Sequence, residues 1–389
     1  MDIVIIGGGF AGVYAVKNLL QLFKNDDVQI TLVNATNYFL FVPMLHEVAT
    51  GTLTAANIAE PLRDILRGRN FSFLREKALS VDLKKKKVKT ETTFLSYDYL
   101  VLATGSTANF YNIPGAEHCL TLKNQADASR LKHHLVQTLE HSFVSKSPAT
   151  IVVIGAGPTG IELCLEIKEF VKQMLRGNVN KSCCPRIILV HSGDAILPQY
   201  PKLQKQAAWQ LEKHGIEVLL QTKVTRVERN CVVVNDGTIE AGTIVWTAGV
   251  KPHLIDTTPK VAERGYPVND FLQVKGYSTV FAVGDCAQTS LPMLAQVATK
   301  QGTIAAINIA QHYYGKKMKP FDMKVRGILL SLGKRKGAGI IFGVQFHGFF
   351  AWWLMRTIYL FKIIGFSNKL KTAYDWTLDL FVKRDTTEV

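Results

Sequence analysis

Ile3-Val4-Ile5-Ile6-Gly7-Gly8-Gly9-Phe10-Ala11-Gly12 decides how this chain folds. The four branched residues read as a buried strand, and a helical stretch follows from Gly12 to about residue 24. A strand, a glycine turn and a helix N-terminus make a pyrophosphate cradle. The first glycine makes the turn, the second lets backbone approach phosphate, and the third lets helix pack on sheet. A return strand at 29–34 completes a βαβ unit. The pattern recurs at Gly155-Ala156-Gly157-Pro158-Thr159-Gly160, after the apolar run 151–154. Its helix is expected from Gly160 to Leu175, and its return strand, 186–190, comes late because a long basic loop, 176–185, intervenes. One such fingerprint is weak evidence. Two imply two dinucleotides, one bound permanently and one visiting, an arrangement suited to passing electrons between them.

A chain of 389 residues has room for two or three domains. With 47% hydrophobic and 20% charged residues it reads as globular and not disordered. The net charge of +15 is concentrated in the tail, where residues 315–389 hold 14 Lys+Arg against 5 Asp+Glu. Such charge suits nucleic acid, anionic lipid or an ordinary basic surface. Phe349-Phe350-Ala351-Trp352-Trp353-Leu354-Met355 in the same tail favours a membrane lipid surface, so no nucleic acid partner is expected. Cys119, Cys164, Cys183, Cys184, Cys231 and Cys286 show no metal-type spacing. That is the usage of a reducing compartment, and no metal site is expected. The first strand begins at residue 3, so no leader is expected. The nearest candidate for a membrane span, 337–366, is interrupted by Gln345, His347, Arg356 and Lys362.

Between these landmarks, 37–49 is apolar and contains Pro43, so it reads as an extended loop over a ligand. Lys84-Lys85-Lys86-Lys87 reads as a solvated hairpin tip, and 97–103 as a buried strand ending in Thr104-Gly105-Ser106. Short strands are expected at 217–220, 224–229, 232–235, 243–247 and 279–283, the last leading into Gly284-Asp285-Cys286-Ala287. A helix at 294–314 closes the core. In the tail, 322–342 is mixed and 349–366 is aromatic and apolar. Tyr374, Leu378, Phe381 and Val382 then form an apolar helix stripe, with Asp375, Asp379 and Lys383 mostly away from it.

Several stretches together resemble one family. They are residues 3–12, Tyr97-Asp98-Tyr99-Leu100-Val101-Leu102-Ala103-Thr104-Gly105-Ser106, residues 155–162, Val245-Trp246-Thr247-Ala248-Gly249-Val250, Val283-Gly284-Asp285-Cys286 and Ala295-Gln296-Val297-Ala298. The tail segments 349–354 and Ile364-Gly365-Phe366 add to them. Over nearly its whole length the chain resembles the type II NADH:quinone oxidoreductases, single-chain flavoproteins with two dinucleotide-binding domains. The resemblance implies an α/β fold with a discontinuous FAD-binding Rossmann domain, 1–115 and 262–320, and an NAD(P)H-binding Rossmann domain, 116–261. An amphipathic helical membrane-docking segment, 321–389, completes it. FAD falls to the first fingerprint on the resemblance, since glycine chemistry alone does not choose FAD over NAD. Gly7, Gly9, Phe10, Ala11, Gly12, Asn34, Pro43, Thr104, Gly105, Asp285, Ala295 and Gln296 would then contact it. Gly155, Gly157, Pro158, Thr159, Gly160, Glu162, His191 and Gly249 would hold the nicotinamide nucleotide. The implied reaction passes a hydride from NADH to flavin and two electrons on to a membrane quinone without proton pumping. Glu162, Gln296 and Lys300 are its candidate catalytic residues. A peripheral protein on the cytoplasmic face of the inner membrane is implied. The tail aromatics also suit a homodimer seam.

The chain departs from the family pattern in three places. Asn34 stands where an acid normally binds the adenosine ribose, and His191 where NADH-selective relatives carry an acid, so NADPH should be rejected less strongly than usual. Lys300 replaces the second glutamine of Ala-Gln-x-Ala-x-Gln; it is either a cation near the quinone oxygen or a lysine snorkelling to the rim. Other residues carry plainer readings too: Glu162 as an acid favoured by the helix dipole, Gln296 as a helix-capping residue, Asp285 as a turn residue. A disulfide reductase needs a cysteine pair near the first helix, and no cysteine precedes Cys119. Sulfide:quinone oxidoreductase is the nearer rival, but Cys119 and Cys286 make an unconvincing pair and a second fingerprint is not needed there. A non-enzymatic basic module is the remaining reading.

Overall fold

The computed structural model describes residues 1–175 and 184–381. Most of the basic loop expected at 176–185, and Val382 and Lys383 of the expected tail stripe, lie outside the described residues. The chain forms two compact units.

The first unit comprises Met1–Leu40, Ala59–Thr107 and Val250–Val325. Its centre is a five-stranded parallel sheet in the order Val280–Ala282, Tyr99–Leu102, Asp2–Ile6, Gln29–Val33, Phe71–Leu74. Helix Phe10–Leu22 packs on one face and the layer carrying Val81, Leu83 and Val88 on the other, so the strands are buried on both sides and read as runs of Ile, Val and Leu rather than alternating patterns. Helix Phe10–Leu22 packs on helix Ala295–Tyr313 at Gly302, where a Cβ would stand 2.1 Å from the Ala11 carbonyl oxygen. A smaller sheet holds the hairpin Ala78–Asp82 and Lys87–Thr90. The Lys84 and Lys85 amides donate to Asp82 Oδ1 and shape the lysine tip.

The second unit comprises Phe41–Ile58, Ala108–Gly249 and the chain from Arg326 onward. It is built on a four-stranded parallel sheet, Glu217–Leu219, Arg186–Val190, Thr150–Ile154, Thr243–Trp246. Helix Pro158–Met174 follows the second glycine turn. The expected extended loop is replaced here by a short turn, Val42–Met44, and a helix, Leu45–Ala49. Leu45, Val48 and Ala49 fall at helical spacing and are buried, which drives the last turn to close.

The tail differs from the expectation of a separate docking domain at 321–389. The mixed stretch is an antiparallel sheet, Gly327–Ser331, Gly337–Ile341 and Val344–His347, followed by helices Gly348–Lys362 and Phe366–Phe381. Polar contacts fasten it to the rest of the second unit: Ser331 N–H donates to Glu162, and Gln345 Nε2 to the Lys202 carbonyl. In the last helix the expected apolar stripe faces out. Tyr374 and Leu378 are exposed, whereas Asn368, Thr372, Trp376 and Asp379 are buried. Trp352 is buried as well, and the Tyr359 ring packs edge-on to Phe41. Among the described residues no helix is long and apolar enough to cross a membrane.

Candidate active site

In the first unit, Gly7 has φ +110°, and a Cβ there would lie 2.2 Å from the Ala103 carbonyl oxygen. Only glycine makes this turn. A Cβ on Gly12 would sit 1.8 Å from the Gly7 oxygen, so the helix starts hard against the loop. Gly9, the N-cap, carries no side-chain cap and has open space where its Cβ would be. The first-turn amides of Phe10, Ala11 and Gly12 are thus left to an incoming anion. Asn34 braces the loop: its Oδ1 accepts the Gly8 N–H at 2.8 Å while its Nδ2 donates to the Thr36 carbonyl at 2.8 Å. A carboxylate would supply the first bond but not the second, which explains the amide at this position.

Across the strand ends, Thr104 Oγ1 donates to the His253 carbonyl, and Gly105 turns the chain at φ +73°. Ser106 Oγ donates to Asp285 Oδ2 at 2.6 Å. Gln301, only 1% exposed, accepts the Gly284 N–H on Oε1 at 2.7 Å, and its Nε2 has no partner. Gly284, Asp285, Val297, Ala298 and Gln301 line a cavity. An open phosphate cradle, a carboxylate and an orphaned buried amide donor in one unit fit a dinucleotide with a polyhydroxyl chain. FAD meets that description. Ala295 opens the adjoining helix, with Gln296 half-buried on its first turn and Lys300 exposed one turn later. Gln301 was not singled out in the sequence; its signal was the one-place shift of glutamine behind Lys300. Pro43 belongs to the second unit.

The second cradle repeats the geometry. Gly155 has φ +110°, with its Cβ position 2.5 Å from Ala248 Cα, and a Cβ on Gly160 would lie 2.0 Å from the Gly155 oxygen. Gly157 is open, Pro158 takes the first helical position without losing a needed N–H, and Thr159 is exposed beside it. Thr247 Oγ1 lies 2.9 Å from the Ile154 oxygen and 3.0 Å from that of Gly155, and so braces the turn. His191 is half-buried after the strand Arg186–Val190; burial lowers its pKa and Asp194 partly opposes this, so the neutral ring is favoured at pH 7. Gly249 has φ +144° beneath the Tyr111 hydroxyl, which a Cβ would meet at 2.6 Å.

Glu162 stands in the first turns of that helix, but it is only 8% exposed. Its Oε1 accepts the Ser331 N–H at 2.9 Å, and its Oε2 lies 3.9 Å from His46 Nδ1. Burial pushes its pKa up to about 7; His46 and the Ser331 N–H hold the rise back, and Glu47 and Glu166 add to it. Glu47 Oε2 accepts Trp376 Nε1–H at 2.7 Å and lies 3.5 Å from Arg356 Nη2. The Arg356 guanidinium sits 4.4 Å from the Trp352 ring centre and 4.7 Å from that of Trp376. Sequence reading missed this group. Its signals were two adjacent ionisable residues, His46 and Glu47, in an apolar stretch, and an arginine among tail aromatics. Among the described residues no three His, Cys, Asp or Glu side chains form a metal-holding group. Burial raises the Cys119 thiol to about 12 and also raises Cys286, so neither is a thiolate at neutral pH.

Residues 1–302 match the pyridine nucleotide-disulphide oxidoreductase family. The type II NADH:quinone oxidoreductase of Mycobacterium tuberculosis is 33% identical over 413 aligned residues, spanning 98% of this chain and 88% of that protein. That of Staphylococcus aureus is 29% identical over 95% and 97% of the two chains. Among solved structures, NDH2 from Plasmodium falciparum in complex with NADH has the same fold, with a TM-score of 0.89 at 19% identity over 99% of each chain. The sulfide:quinone oxidoreductase of Aquifex aeolicus shares the fold less closely, with a TM-score of 0.76 at 18% identity over 98% and 95%. With two glycine cradles built alike and relatives matched end to end, the chain belongs to the pyridine nucleotide-disulphide oxidoreductases and, within them, to the type II NADH:quinone oxidoreductases.

Proposed function

We propose that this protein oxidises NADH and reduces a membrane quinone through bound FAD, without pumping protons. The observation that carries the reading is the pair of open glycine cradles, one in each unit, at Gly7–Gly12 and Gly155–Gly160. FAD, when bound, supplies the chemistry: it accepts a hydride from NADH and returns the two electrons to quinone. The protein contributes binding and placement. Amides around Gly9 hold one pyrophosphate, and those around Gly157 hold the other. Asp285, oriented by Ser106, accepts hydroxyls of the FAD chain, and Gln301 offers its spare amide hydrogen there. The uncapped start of helix Ala295–Tyr313 directs a partial positive charge at the electron-rich flavin. Gln296 donates to the quinone oxygen, and Lys300 attracts the anion that forms as the quinone is reduced. Glu162 acts on the nicotinamide side, and His191 contacts the adenosine ribose.

The quinone substrate dissolves in lipid, which calls for a docked protein. Phe349, Phe350, Trp353, Phe361, Phe366 and Tyr374 form an exposed aromatic set on the tail helices, and the tail is strongly basic. Both features suit the anionic inner leaflet of the cytoplasmic membrane. A homodimer uses whatever part of the same apolar surface lipid leaves free. The test is anaerobic mixing of the purified yellow protein with NADH, followed by a short-chain quinone. Flavin absorbance should bleach and then return. A colourless preparation, or a flavin that stays oxidised with NADH in excess, overturns the proposal.

A further inference from the structure

The segment Phe41–Ile58 and the tail are more than three hundred positions apart in places, yet both belong to the second unit and are strapped together. Asp375 Oδ2 accepts Asn57 Nδ2–H at 2.7 Å and the Thr54 N–H at 3.3 Å, and Thr372 Oγ1 donates to the Asn57 carbonyl at 3.3 Å. Trp376 and Arg356 both reach Glu47. The strap closes over three buried carboxyl groups: Glu47 at 2% exposed, Glu162 at 8% and Glu166 at 3%. Arg356 Nη2 lies 3.5 Å from Glu47, and His46, whose Nε2 has no hydrogen-bond partner among the described residues, lies 3.9 Å from Glu162. Thr52 Oγ1 donates weakly to Glu166 at 3.4 Å, and the Tyr359 hydroxyl, kept protonated by burial, completes the polar surroundings. A carboxyl as buried as Glu162, with other carboxyl groups beside it, resists ionisation.

The donors decide where a proton sits. Glu47 receives an indole N–H and faces a guanidinium, and both favour its ionised form. Glu162 receives one backbone N–H and, among the described residues, has His46 alone within ion-pair range, at 3.9 Å. We propose that Glu47, fixed by Arg356 and Trp376 of the tail, is a positioning residue of the Glu162 site: its charge holds a proton on Glu162, and His46 works against it. The tail thereby sets the charge of a group that the proposed function assigns to the nicotinamide side. The functional consequence rests on that reading, while the proton's location does not.

The test is an infrared titration of the purified holoenzyme, following the carboxylic C=O band that Glu162→Gln removes. Wild type should titrate near pH 7, the value to which burial brings Glu162. Glu47→Gln removes a repelling charge and should move the midpoint down by about one pH unit. His46→Gln removes the opposing imidazole and should move it up. Trp376→Phe deletes only the indole N–H, so it should shift the midpoint in the same direction as Glu47→Gln but less. A purely structural role predicts no such opposition. If Glu47→Gln and His46→Gln shift the band the same way or not at all, or if Trp376→Phe raises it, the proposal is overturned. The pH profile of NADH:ferricyanide kcat/KM is measured in parallel. Infrared shifts as expected with an unmoved kinetic profile would uphold the positioning role and refute Glu162's place on the nicotinamide side.

Discussion

Replacing Phe349, Phe350 and Trp353 together by serine should strip the protein from membranes and leave its flavin chemistry intact. These side chains are 57%, 53% and 49% exposed on the first tail helix, so roughly half of each is available to lipid. Fully burying such a side chain contributes about 1.5–3 kcal/mol, and half of that is about 1 kcal/mol each. Three together give about 3 kcal/mol, or roughly a hundredfold in membrane partition. Flotation with vesicles containing anionic lipid reads this directly. The triple variant should stay at the bottom of the gradient, keep its flavin and reduce ferricyanide with NADH at the wild-type rate. It should fail to reduce quinone embedded in the vesicles. Flotation equal to wild type would refute docking through this surface. Deleting everything after Gly315 is a poorer test. That cut removes Ser331, which donates to Glu162, and Arg356 and Trp376, which face Glu47. Breaking a buried pair in this way costs about 3–5 kcal/mol, so lost membrane binding would report unfolding as readily as undocking.

Gly302→Ala would place a methyl 2.1 Å from the Ala11 carbonyl; about 1–3 kcal/mol of overpacking should appear as a lower Tm together with faster flavin loss. Equal flavin retention would contradict the close packing of the two helices. Glu162 has a folded-state pKa raised to about 7, above its unfolded value, so its contribution to stability is full below pH about 4.5 and is lost as pH rises through 7. Glu162→Gln should therefore gain thermal stability relative to wild type at pH 8 but not at pH 4.5, and a pH-independent difference would show that the carboxyl is not desolvated. His191 carries no repelling charge, so wild type should use NADPH with a kcat/KM less than a thousandfold below that for NADH. His191→Asp should widen the preference by roughly tenfold, and a wild-type gap above a thousandfold would sink the assignment. Lys300→Gln should change kcat or KM for quinone and spare ferricyanide reduction; unchanged quinone kinetics would make Lys300 a rim residue.

The two cradles were legible because their information is local. Gly7 and Gly155 must adopt φ +110°, a Cβ on Gly12 or Gly160 would meet a carbonyl oxygen at 1.8 or 2.0 Å, and each requirement leaves a glycine in the sequence. The parallel strands are legible for a similar reason, since burial on both faces leaves an unbroken apolar run. Asn34 shows where local reading stops. Its place at the end of a return strand raises the expectation of a ribose contact, but its bonds to Gly8 and Thr36 are tertiary facts with no periodic trace.

The tail shows that periodicity finds a stripe but not the direction it faces where polar groups find partners inside. The rule that apolar stripes face inward assumes that water is the best partner for the polar side. In helix Phe366–Phe381 that assumption fails, because Asp375 meets Asn57, Trp376 meets Glu47 and Thr372 meets a backbone carbonyl. A side satisfied in this way is free to be buried, and the stripe carrying Tyr374 and Leu378 is then left facing out. Outward apolar surface of this kind costs free energy in water and regains it only against lipid or another protein. The same geometry thus accounts for two things the sequence kept separate: ionisable residues buried beneath the tail, and aromatic side chains displayed on it.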